Sequence, residues 1–113
     1  MDKKTDRNII DFISFVMKDD PRITRIFLFG SYARDLNRPD SDIDIAFIVK
    51  DLSDEEIFDY QVKYLVIASR YDTRIEPHFL SNNDLKSNPF AIEVLKTGID
   101  ITPKTSDLTL RHS

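Results

Sequence analysis

Phe29-Gly30-Ser31-Tyr32-Ala33-Arg34 and, with ten residues between Ser31 and Asp42, the triplet Asp42-Ile43-Asp44 decide how this chain is read. The first stretch places a small-residue turn directly after the apolar run Ile26-Phe27-Leu28-Phe29. The second places two carboxylates at i and i+2 where another apolar run begins. On a strand, i and i+2 point to the same face. Two like charges about 5 Å apart at an effective dielectric of about 20 repel by roughly 3 kcal/mol. A fold accepts that beside its core when a cation bridges the pair. The combination points to a divalent-metal site next to a phosphate-binding turn. Each half alone has a plainer meaning: Gly-Ser can simply join a strand to a helix, and two Asp can form a solvated strand edge.

Working outward, residues 23–29 are apolar on both faces over Ile26–Phe29, which predicts a strand inside a sheet. Residues 42–49 alternate: Ile43, Ile45, Phe47 and Val49 share one face, Asp42, Asp44, Ala46 and Ile48 the other. That is a second strand. Between them, Tyr32 to about Leu36 reads as the first turns of a helix, and Asn37-Arg38-Pro39-Asp40-Ser41 as turn chemistry. Upstream, Ile9, Phe12, Ile13 and Val16 form one helical stripe over residues 5–18. Downstream, Ser53 and Glu56 form a capping box with Leu52 and Ile57 as a staple. The helix they open is expected to bury Phe58, Val62, Leu65 and Val66. Residues 73–80 predict a third strand, with Pro77 pushing it to an edge. Asn88-Pro89 opens a last short helix to about Lys96, closed by Gly98, and Ile99–Ile101 adds a short strand. From Pro103 onward the composition turns polar.

The whole chain sets limits on these readings. Its 113 residues suit one domain with a modest core. Expected is a domain over residues 1–102 and a loose tail over 103–113. With 41% hydrophobic and 32% charged residues it reads as a globular chain. A net charge of -4 argues against direct nucleic-acid binding, yet it leaves room for a nucleotide whose charge a metal offsets. Cysteine is absent, which excludes disulfides and thiolate metal sites and fits a reducing, cytoplasmic setting. No signal peptide or membrane span is visible. Asp40, Asp42 and Asp44 mimic the start of a calcium loop, but the sixth position is Ile45 where that loop needs Gly.

A third carboxylate would complete a metal site. Glu76 sits in the third predicted strand, opposite in facing to Ile75 and Phe79. It could ligate the metal and help take a proton from a nucleophile, or it could be a solvent-facing edge residue. Asp72, just before that strand, is the fallback. His78 shares the face of Glu76 but has no supporting cluster in sequence, and it reads as an ordinary strand residue; His112 falls in the tail.

The order of these elements, with Gly30-Ser31-Tyr32-Ala33-Arg34 and Ser41-Asp42-Ile43-Asp44-Ile45, resembles the Gly-Ser-x10-Asp-x-Asp signature of the polymerase-beta nucleotidyltransferase superfamily. The resemblance covers about residues 5–101. It implies an α/β (α+β) fold, a small mixed β-sheet packed with helices. The short chain is similar to minimal nucleotidyltransferases, stand-alone prokaryotic proteins often encoded beside a small helical HEPN protein. In such pairs the HEPN member is typically an RNase toxin and the transferase its antitoxin, which moves AMP from ATP onto a tyrosine of the toxin. Carried over, the resemblance implies that Gly30, Ser31 and Arg34 bind nucleotide. It implies that Asp42, Asp44 and Glu76 are catalytic and bind Mg2+ or Mn2+, with the toxin as hetero-oligomeric partner. Two departures stand out: Asp35 replaces the usual Gly, and Glu76 replaces the commoner Asp. Both could slow catalysis, which keeps a contact-only antitoxin open; transfer to a small molecule is a further alternative.

Overall fold

The computed structural model of the chain describes residues 3–34 and 40–103. Four strands form one sheet in the order β3-β2-β1-β4. Strands β1 (Ile23–Phe29) and β2 (Ile43–Val49) take the middle, as their two-faced apolar content requires. They pair antiparallel, with Phe29 opposite Asp44. Strand β3 (Ile75–Ser81) lies at the edge, parallel to β2, with Asp44 level with Glu76 and Ala46 with His78. Pro77 has no N–H to give a ladder, and its carbonyl accepts from Gln61 Nε2 at 2.5 Å. The two-residue β4 (Ile99–Asp100) pairs with Phe27 and Leu28 on the opposite edge.

Helices cover both sheet faces. On one, α1 (Lys3–Asp19) buries its predicted stripe of Ile9, Phe12, Ile13 and Val16 against Ile43, Ile45, Phe47 and Val49. Helix α3 (Asp54–Ala68) packs beside it. On the other face, α4 (Pro89–Thr97) lays Ala91 and Val94 over Phe27, Ala46, Ile48 and Leu80. Asn88 caps α4 as expected, its side chain accepting from the N–H of Phe90 at 2.8 Å. Gly98 closes the helix in extended conformation, and a Cβ there would lie 2.6 Å from the Val94 carbonyl. No helix among the described residues is long and apolar enough to cross a membrane.

Residues 35–39, which include Asp35 and most of the predicted turn, lie outside the described residues, as does the tail beyond Pro103. Two expectations change. The short α2 (Gly30–Ala33) starts at Gly30, not Tyr32, with Phe29 as its N-cap. The second change is larger. Helix α3 carries two apolar stripes and buries the other one. Tyr64 and Ala68 are buried with Ile57, Tyr60 and Ile67 partly so, while Phe58 is 73% exposed. Val62, Leu65 and Val66 face solvent as well. The two tyrosines decide this. Their rings pack on Phe79, and their hydroxyls reach past the core edge, Tyr64 donating to Asp19 at 2.7 Å and Tyr60 to Asp20. An aromatic ring whose polar tip finds a partner buries more surface than Val or Leu at no polar cost.

Candidate active site

Because β1 and β2 are antiparallel, the end of β1 and the start of β2 fall at one end of the sheet. The Gly30-Ser31 turn therefore sits beside Asp42-Ile43-Asp44. The parallel β3 begins at the same end and adds Glu76. Gly30 adopts φ +74, and a Cβ on it would stand 2.5 Å from Asp44 Oδ2. The glycine thus serves two needs at once: a backbone conformation in the left-handed region and contact distance to a site carboxylate. Ser31 is half-buried and Arg34 exposed. Gly30 and Arg34 line a cleft of about 200 Å3 with Phe29, Ala33, Glu93 and Thr97.

Asp44 and Glu76 come together, half-buried, on neighbouring strands. Asp42, just before β2, is exposed; it hydrogen-bonds to Glu76 but is not among the side chains whose ligand atoms converge with Asp44. Burial first, then the Asp42 hydrogen bond and the neighbouring negative charges, push the Glu76 carboxyl above its ordinary range, while His78 opposes this. The raised Glu76 carboxyl reflects crowded negative charge that a divalent cation would offset. Asp44, Glu76 and His78 each offer one ligand atom, all within 4.8 Å of one another. The donor set fits a divalent cation.

His78 is the residue the sequence did not single out. Its Nε2 lies 3.2 Å from Asp44 Oδ1, and its ring packs against Phe29 and Phe90 with centroids at 5.0 and 5.8 Å. The signal was its shared face with Glu76; the strand register that lifts Asp44 toward it cannot be read from β3 alone. The fallback Asp72 has a different task. It takes a paired contact from Arg74, which holds its carboxyl below the usual range. Arg74 also donates to Tyr32 Oη at 2.6 Å and to Thr5 Oγ1 at 3.0 Å. This guanidinium ties α1, α2 and the entry to β3 together behind the Gly30 turn. Asp72 is thus committed to Arg74 and is not part of the acid cluster.

A sheet whose β1 end carries Gly-Ser and whose β2 start carries Asp-x-Asp, with a third acid on β3, is the frame of a nucleotidyl-transferring domain. The family model described as polymerase beta nucleotidyltransferase matches residues 11–107, so the chain belongs to that family and is a nucleotidyltransferase. A Methanocaldococcus jannaschii protein whose name proposes protein adenylyltransferase activity is 33% identical over 93 residues, covering 79% of this chain and 87% of that one. Among solved structures, a chain of a toxin–antitoxin complex with AMP-PNP is 26% identical, with TM-score 0.56, covering 92% of this chain and 77% of that one. A chain of a Shewanella oneidensis complex, a tri-AMPylated HEPN toxin with its MNT antitoxin, shares the fold at TM-score 0.54 and 24% identity, covering 93% and 77%.

Proposed function

We propose that this chain is an antitoxin that moves AMP from ATP to a tyrosine hydroxyl of a HEPN-type RNase toxin in the cytoplasm. The observation that carries the reading is the approach of the Gly30 backbone to Asp44, which joins a phosphate turn to the acid cluster. The M. jannaschii relative and the AMP-PNP complex support a nucleotide donor and a protein acceptor.

Asp42, Asp44 and Glu76 would hold Mg2+ or Mn2+, which when bound offsets phosphate charge and the charge developing at the α-phosphorus. Gly30 lets the phosphates approach the backbone, the Ser31 hydroxyl adds a hydrogen bond, and Arg34 adds positive charge at the cleft. The acceptor oxygen bonds to the α-phosphorus, the bond to the β-phosphate oxygen breaks, and pyrophosphate leaves. Glu76, whose carboxyl is raised above its ordinary range by burial, takes the hydroxyl proton.

The test is to incubate the purified chain and its helical neighbour protein with ATP labelled at the α- or the γ-phosphorus. Label from the α-position alone should reach the partner. Label from the γ-position would contradict nucleotidyl transfer, and no label with the toxin still neutralised would favour an antitoxin acting by contact.

A further inference from the structure

We propose that His78 is itself a ligand of the metal, and that it shifts the site's preference from Mg2+ toward Mn2+. This rests on the metal reading above and adds the identity of a fourth side chain and its consequence.

Geometry comes first. Glu76 and His78 are two residues apart on β3 and share a face, and the parallel register sets Asp44 level with Glu76. Two ligands about 2.1 Å from one ion and at right angles to each other stand about 3.0 Å apart. His78 Nε2 and Asp44 Oδ1 stand 3.2 Å apart. The ring is not free to turn away. It packs between Phe29, at 64° interplanar angle, and Phe90, at 51°, so Nε2 is aimed at the acid cluster.

Chemistry gives the consequence. Mg2+ takes oxygen ligands and gives up water reluctantly. An imidazole nitrogen favours first-row transition ions, so each such ligand separates Mn2+ from Mg2+. The competing role for His78 is to hydrogen-bond and orient Asp44 without touching the metal. An orienting residue would support both ions alike.

The experiment uses Mn2+ alone as probe, without nucleotide. Electron spin-echo modulation reads directly whether a nitrogen is coordinated. The wild-type complex should show nitrogen modulation. His78→Gln, which keeps a hydrogen-bonding tip but is a poor ligand, should lose it. His112→Gln, at the chain's other histidine, should keep it. By calorimetry His78→Gln should lose Mn2+ affinity and little Mg2+ affinity. Bound Mn2+ without nitrogen modulation in the wild type, modulation that survives His78→Gln, or equal loss for both ions would overturn the proposal while leaving the metal site standing. A wild-type protein that binds neither ion would overturn the metal site with it.

Discussion

Gly30 shows how one residue serves backbone and chemistry together. Its φ of +74 disfavours any side chain, and a Cβ would meet Asp44 Oδ2 at 2.5 Å. Gly30→Ala should therefore cost about 1–3 kcal/mol in urea unfolding and displace Asp44, weakening ATP–metal binding in calorimetry. An alanine variant equal to the parent in both would show that the turn is built differently. The shared facing of Asp42 and Asp44 was legible because a two-residue period decides which side chains of one strand share a face, whereas Glu76 meets Asp44 only through the register of β2 and β3. The site's other members depend on neighbours distant in sequence. His78 enters only through the parallel register of β2 and β3, and Arg74 only because Thr5, Tyr32 and Asp72 converge on it.

Helix α3 was legible in its start but not in its facing. The Ser53–Glu56 box was a local pattern and is present, with Ser53 N–H donating to Glu56 Oε1 at 3.0 Å. Facing could not follow from period alone, because 58, 62, 65 and 66 compete with 57, 60, 64 and 67. The contest is settled by Asp19 and Asp20 at the end of α1, which receive the tyrosine hydroxyls. Phe58→Ala should thus change stability by less than about 0.5 kcal/mol, whereas Tyr64→Ala should cost about 3–5 kcal/mol. Urea midpoints in the reverse order would restore the first reading. Glu56 also pairs with Arg22 at 2.6 Å, and that contact, followed by the Ser53 N–H, holds its pKa down at about 2 instead of 4.5. A carboxyl whose folded pKa is depressed stabilises the fold above its unfolded pKa and loses that contribution as pH falls. The parent should therefore exceed Glu56→Gln in urea midpoint at neutral pH, and the gap should close between about pH 4.5 and about pH 2. A gap independent of pH across that window would remove the ion pair from the account.

At the scale of the molecule, topology does the work that no single motif can. The antiparallel β1–β2 pair returns the chain so that Gly-Ser and Asp-x-Asp meet, and the crossover through α3 delivers β3 parallel, acid first. The strand order was not readable from local pattern; the Gly-Ser-x10-Asp-x-Asp resemblance implied only a small mixed β-sheet packed with helices, and the observed sheet is of that kind. The proposal that rests on this arrangement is that the acid cluster drives nucleotidyl transfer to a protein. Glu76→Gln should leave much of the nucleotide binding intact and slow transfer sharply. The most direct test is the intact mass of the helical partner after co-expression with this chain. The partner should be heavier by whole AMP units, carried on tyrosine, with no shift when Asp44→Asn replaces the parent. A partner of unchanged mass beside the intact parent chain, or an equal shift beside Asp44→Asn, would contradict it.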